Sequence, residues 1–276
     1  MPTNFKTNHM DNRSILLQSM HEKKSCLCVG LDVEFDLLPE EVKHAEDPVF
    51  EFNRQTIQAT LPFTVAYKLN TAFYECLGPK GWETLEKTIR FIGNKALTIA
   101  DAKRGDIGNT AKAYAKAFFQ NMNADAVTVS PYMGNDSLLP FLEYKNKWTI
   151  ALGLTSNPGA ANIQMQKLSS GHHLYETAMA NMANMASPNQ LMFVVGATRP
   201  AELKALQRRF PEYFFLIPGV GAQGGSVPEV LQAMGPNPKA LINASRSIIY
   251  AGSGPDFAQK AGLSAQNLQK EMEAYF

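Results

Sequence analysis

Apolar positions along the chain fall into two alternating rhythms. Short runs dense in Val, Ile, Leu, Ala and aromatic residues recur, and apolar residues at helical spacing separate them. Residues 12–22 predict an amphipathic helix whose apolar face is Ile15, Leu16 and Met20, leading into Ser25–Asp32 as a buried strand. Further strands are predicted at Phe63–Asn70, Ala96–Lys103, Ala126–Ser130, Trp148–Leu154, Leu191–Ala197, Phe214–Val220 and Ala240–Arg246. Helical spacing marks about 49–61, 72–92, 108–121, 136–144, 173–187, 200–208, 227–234 and 256–275. Short buried strands alternating with helices require crossover connections and hence a parallel sheet. Eight such units in one chain of 276 residues fit a closed barrel better than an open sheet. The expected fold is therefore α/β: a single (β/α)8 TIM barrel over residues 25–276, preceded by a tail and helix over 1–24.

Composition narrows the class. With 45% hydrophobic and 18% charged residues, the chain is expected to build one large core and has no disordered-type bias. Its 26 basic and 25 acidic residues nearly cancel, so no broad electrostatic footprint for nucleic acid or an anionic membrane is expected, and a bound anion must be held locally. No apolar run approaches the ~20 residues of a membrane helix, and the first residues lack a charged-then-apolar signal pattern. The three cysteines cannot form a disulfide framework, and Cys26 and Cys28 in an apolar run read as buried thiols of a reducing compartment. The expected location is the cytoplasm.

Active sites of such barrels lie at the carboxyl ends of the strands, and polar residues collect there. Asp32 ends the first strand, Lys68 and Asn70 the second, Asp101 and Lys103 the third; Ser156 follows the fifth and Arg246 ends the eighth. Side chains two apart on a strand point the same way, so Lys68 and Asn70 share a face, as do Asp101 and Lys103. Charges ending such apolar strands are costly to bury unpaired, so they either pair structurally or carry out chemistry. Asp106 follows in the loop Asp101-Ala-Lys-Arg-Gly-Asp-Ile-Gly-Asn-Thr110, where it serves as a second site carboxylate or begins to cap the next helix.

Two loops stand out. The irregular stretch from Thr155 to Ser170 begins with the turn residues Asn157-Pro158-Gly159, and its length marks a functional loop over the barrel mouth. Gly219-Val-Gly221-Ala-Gln223-Gly224-Gly225 contains the spacing of a dinucleotide fingerprint, but residues 238–247 hold no acidic residue to complete it. With Ser245-Arg246 ending the next strand, the loop reads instead as a phosphate site, or as a structural turn. Adjacent His172 and His173 lack the spacing of a helical metal pair and read as loop polarity, and no Gly-x-Ser-x-Gly nucleophile elbow is present.

The motif Asp-x-Lys-x-x-Asp-Ile-x-x-Thr at 101–110 resembles the signature of the orotidine 5′-phosphate decarboxylase family. The full string 101–110 and Ser130-Pro-Tyr-Met-Gly-Asn-Asp136 are similar to its longer bacterial and protist subgroup, and the resemblance runs from Leu27 to Tyr250. It implies cofactor-independent decarboxylation of orotidine 5′-monophosphate, the last step of UMP biosynthesis. The implied catalytic network is Lys68, Asp101, Lys103 and Asp106. Asp106, Ile107 and Thr110 would complete the partner's site in a homodimer. Asp32 and Asn70 would hold ribose hydroxyls, Thr155 or Ser156 the pyrimidine edge, and Gln223, Gly225, Ser245 and Arg246 the phosphate. A Schiff-base aldolase, a metal-dependent phosphosugar enzyme of the same superfamily, and a non-catalytic nucleotide-binding protein are the competing readings.

Overall fold

The protein is represented by a computed structural model that describes residues 11–221 and 224–276. Eight parallel strands close in sequence order into a barrel. They are β1 (Leu27–Gly30), β2 (Ala66–Asn70), β3 (Leu97–Arg104), β4 (Ala126–Val129), β5 (Trp148–Leu154), β6 (Leu191–Val195), β7 (Phe214–Pro218) and β8 (Ala240–Ala244). Closure is by β8 against β1, with Val29 opposite Ala244, and it removes both sheet edges. The helices are α1 (Asn12–Lys23), α2 (Glu40–Lys43), α3 (Pro48–Thr60), α4 (Ala72–Glu75), α5 (Pro79–Ile92) and α6 (Gly108–Ala115). They continue with α7 (Leu139–Leu142), α8 (Leu174–Ala183), α9 (Pro200–Arg209), α10 (Val227–Met234), α11 (Arg246–Ile249) and α12 (Phe257–Met272).

The expected barrel is thus the observed one, with local corrections. Residues 72–92 are not one helix: Gly78, at φ +67°, and Pro79, which has no amide hydrogen, break the chain between α4 and α5. Past α6 the helix widens into a π-helix over Lys116–Asn121. The strands β1, β2, β4, β6, β7 and β8 are shorter than the sequence predicts: at β2, β6 and β7 apolar residues continue into the adjoining turns, and at β4 and β8 the extra residues are polar, Ser130 and Ser245-Arg246. Arg246 accordingly opens the short helix α11 instead of ending a strand, and Asp32 lies two residues past β1.

Every residue of β1, β4, β6 and β8 is buried, as expected for strands that face the barrel interior on one side and helices on the other. Trp148, Tyr67, Phe193, Phe214 and Phe215 are among the largest fully buried side chains. Asp47 starts α3 by accepting the Phe50 amide at 3.1 Å, ahead of Pro48 in the first turn. Leu16 and Met20 of α1 join the same continuous core, whereas Ile15, expected on that face, is 50% exposed. One residue on a helix is a rotation of ~100°, so Ile15 cannot share the stripe that Leu16 and Met20 define. It borders a cavity of about 350 Å³ beside the start of β3, at the end of the barrel away from the strands' carboxyl termini. No helix among the described residues is long and apolar enough to cross a membrane.

Candidate active site

Strand register carries the charged residues to one end of the barrel. Gly30 pairs with Lys68, and Asn70 pairs with Asp101, so the ends of β1, β2 and β3 lie side by side. Lys68 Nζ lies 2.9 Å from Asp101 Oδ2 and 3.4 Å from Asp32 Oδ1. Lys103 Nζ lies 2.7 Å from the other oxygen, Asp101 Oδ1. Asp101 is therefore the hinge of a Lys68–Asp101–Lys103 ladder, with Asp32 at its far end.

The ladder runs from dry to wet. Lys68 is 4% and Asp101 8% exposed, whereas the Lys103 side chain is 49% exposed at the mouth. Burial works against the charge on Lys68, yet Asp101 and Asp32 together outweigh it and hold the ammonium above the ordinary lysine range. Burial likewise opposes ionisation of Asp101, and Lys68 and Lys103 outweigh it, holding the carboxyl well below the usual carboxylate range. Lys68 and Asp101 are therefore both ionic at neutral pH, and the solvent-exposed end of the ladder is Lys103.

Lys103 reaches this position by irregular backbone. Its φ is +46°, in the left-handed region that a residue with a Cβ seldom occupies. The β3–β4 ladder slips at the same point, from Ala100 opposite Val127 to Arg104 opposite Val129. Simple alternation along a regular strand therefore does not explain how Asp101 and Lys103 meet, because the strand is bulged between them.

Across the mouth, a cavity of about 490 Å³ is bordered by Asp32, Asn70, Asp101, Lys103, Ser156, Ser245 and Arg246 from the expected set. Lys68 stands behind Asp101. Thr155 also borders the cavity, and its hydroxyl is held 2.6 Å from Asn157 Oδ1 and 2.9 Å from Gln164 Nε2. The long loop after β5 thus folds back on its own first residue and forms one wall. Gly219, Val220 and Ser247 line the opposite wall, so the glycine-rich turn after β7 and the start of α11 converge. Gly225 lies just behind: a Cβ there would fall 2.8 Å from the Gly219 carbonyl oxygen and 2.6 Å from Ala197 Cβ, so only glycine permits this turn. Ser245 donates to the Gly30 carbonyl at 3.1 Å and ties the end of β8 to β1. Gln223 lies outside the described residues.

Asp106, Ile107 and Thr110 do not border this cavity. Asp106 Oδ1 accepts the Ile107 amide at 2.8 Å, but Ile107, the residue preceding α6, receives no side-chain cap, so Asp106 does not cap that helix. Ile107 is 46% exposed, and Tyr132 and Met133 of the loop after β4 are also exposed.

Three residues escaped the sequence reading. Thr128 of β4 donates to Asp101 Oδ1 and accepts the Lys103 amide, both at 2.9 Å, but a threonine in an apolar strand is an ordinary β-former and gives no signal. Asn243 of β8 borders the cavity and accepts a weak 3.6 Å contact from the Cys28 thiol. An amide in so apolar a strand was a readable signal, since it must find partners. Arg104 pairs with Glu75 of α4 and lies over the Tyr114 and Phe118 rings at 5.2 and 5.5 Å, pinning the end of β3 from outside.

Fold and site together define a (β/α)8-barrel protein with an ionic ladder at the carboxyl ends of β1 to β3, opening on a cavity that extends to the ends of β7 and β8. Residues 25–261 match the sequence profile of the orotidine 5′-phosphate decarboxylase / HUMPS family. Flavobacterium johnsoniae has an orotidine 5′-phosphate decarboxylase 49% identical over 264 residues, covering 92% of this chain and 96% of that protein. The Phocaeicola vulgatus orotidine 5′-phosphate decarboxylase is 45% identical over 266 residues, 95% of this chain and 98% of the other. Among solved structures, Leishmania donovani OMP decarboxylase superposes with a TM-score of 0.81 at 35% identity, over 96% of this chain and 99% of that one. The chain belongs to the orotidine 5′-phosphate decarboxylase / HUMPS family.

Proposed function

We propose that this protein decarboxylates orotidine 5′-monophosphate to uridine 5′-monophosphate and CO2, with no cofactor. The observation that carries the reading is the ladder, in which a buried carboxylate anchors an exposed ammonium at the cavity mouth. Loss of CO2 leaves the electron pair of the broken bond on ring carbon C6, where no carbonyl can absorb it by conjugation. A fixed cation beside that carbon is the remaining means of stabilisation. Lys103 fills the role: its ammonium lowers the energy of the developing carbanion and then donates a proton to C6, and solvent reprotonates the amine. Asp101 and Lys68 hold Lys103 in place, so the charge is organised before the substrate arrives.

The remaining wall residues divide the substrate between them. Asp32 and Asn70 take the ribose hydroxyls. Ser156 faces the pyrimidine edge, next to a Thr155 hydroxyl already engaged by Asn157 and Gln164. Gln223, Gly225, Ser245 and Arg246 surround the phosphate, whose binding energy positions the distant ring. Asp106, Ile107 and Thr110, which do not border their own cavity, complete the site of a second copy in a homodimer. Residues 25–276 form the catalytic barrel and Asn12–Lys23 a helix packed on it, residues 1–10 of the expected tail lying outside the described residues, and the protein works in the cytoplasm.

The test is loss of orotidine 5′-monophosphate absorbance on adding the purified protein, with and without chelator, following uridine 5′-monophosphate. Chelator-resistant product formation is expected; no product, or activity lost to chelator, would favour nucleotide binding alone or a metal-dependent phosphosugar enzyme. Mixing Asp106→Ala with Lys103→Ala subunits should restore part of the activity, and its absence in demonstrated heterodimers would refute shared sites.

A further inference from the structure

The geometry points to Thr128 as a positioning residue for the reacting ammonium, a role that rests on the decarboxylase reading above. The hydroxyl is fully buried on β4 and has two partners at 2.9 Å: it accepts the Lys103 amide and donates to Asp101 Oδ1. That same carboxylate oxygen receives Lys103 Nζ at 2.7 Å. One hydroxyl thus grips both ends of Lys103, the backbone directly and the ammonium through Asp101.

The need arises from the bulge. Between Ala100 and Arg104 the ladder with β4 is interrupted, and it resumes where Ser130 donates to the Arg104 carbonyl at 2.7 Å. The Lys103 amide falls in this gap, in a left-handed conformation, and finds a side-chain acceptor in place of a strand partner. A part-buried amide without a partner would cost stability, and a left-handed lysine without an anchor would relax toward extended backbone. Relaxation would swing the side chain away from the cavity, and a displacement of ~1 Å at a reacting group can cost on the order of 100-fold in rate. Valine would suit this apolar strand better than threonine on packing grounds alone, so the hydroxyl is explained by its two partners.

Thr128→Val removes the hydroxyl and keeps the shape, whereas Thr128→Ser keeps the hydroxyl. With the purified full chain and orotidine 5′-monophosphate, Thr128→Val should lower kcat by about 10-fold or more while KM changes by less than about 3-fold. Thr128→Ser should recover most of kcat, a rescue that a role in packing alone would not produce. Wild-type kcat in Thr128→Val, an effect confined to KM, or a serine variant no better than valine would each overturn the inference. Should Thr128→Val fail to fold, Thr128→Cys carries the test: its weak thiol donor should give an intermediate kcat, and parity with wild type would overturn the role. An inactive wild-type chain would overturn the decarboxylase reading itself, and this role with it, whereas an active wild type with an equally active valine variant removes Thr128 alone.

Discussion

Replacing Lys68 by methionine keeps most of the buried stem and removes only the charge. Lys68 and Lys103 balance Asp32 and Asp101, so the variant leaves one negative charge in excess around a carboxylate only 8% exposed. At the 2.9 Å separation of Lys68 Nζ and Asp101 Oδ2, Coulomb attraction at an effective dielectric of ~20 is about 6 kcal/mol. Dehydrating the ammonium offsets several kcal/mol of this, and Lys103 and Thr128 still serve the carboxylate in the variant. The expected net loss is ~3 kcal/mol, at the lower end for breaking a buried pair.

Its pH dependence follows from the two shifts. Asp101 is held below its unfolded value of ~3.9, so its contribution is present above that pH and is lost as pH falls through the lower folded value. Lys68 is held above ~10.4, so its contribution is intact throughout the acid range and declines only in strong alkali. In urea unfolding, the gap between wild type and Lys68→Met should be ~3 kcal/mol at pH 7, begin to narrow below about pH 5 and go on narrowing as pH falls toward the lower folded value of Asp101. A variant within ~0.5 kcal/mol of wild type at pH 7, or a gap independent of pH, would refute the argument.

Lys103→Ala should leave a folded protein, because the side chain is half exposed, yet reduce kcat by at least ~1,000-fold; circular dichroism and the absorbance assay together check both halves. Arg246→Ala should weaken binding of uridine 5′-monophosphate by about 10- to 100-fold and leave uridine binding unchanged, as isothermal titration would show. Burial pushes the Cys26 and Cys28 thiols up to about 12, so a thiol reagent at pH 8 should modify only exposed Cys76 in the native state and all three after denaturation. Fast native labelling of a second thiol would refute the closed packing around β1.

The barrel and the order of its strands were legible because they depend on local periodicity, and burial on both faces leaves parallel strands as bare apolar runs. Lys68, Asn70, Asp101 and Lys103 were legible for a related reason: a charged or strongly polar group at the end of an apolar strand is costly, so its presence announces a function or a partner. The motif spacing at 101–110 supplied the family that the comparisons then established. Break points were harder, as at Gly78-Pro79, where two apolar stripes in line read as one helix.

What tertiary structure alone decided is the geometry among those charges. Nothing local shows that β3 bulges at Lys103, since the left-handed backbone is held from β4 by Thr128, and the adjacent Arg104 is held from α4 by Glu75. Asp101 sits between two lysines because β2 and β3 pair in one register, with Asn70 opposite Asp101, and a slip of one residue would separate them. Periodicity along a chain reports which side chains are buried; distances between strands depend on closure of the whole barrel, and the chemistry depends on those distances.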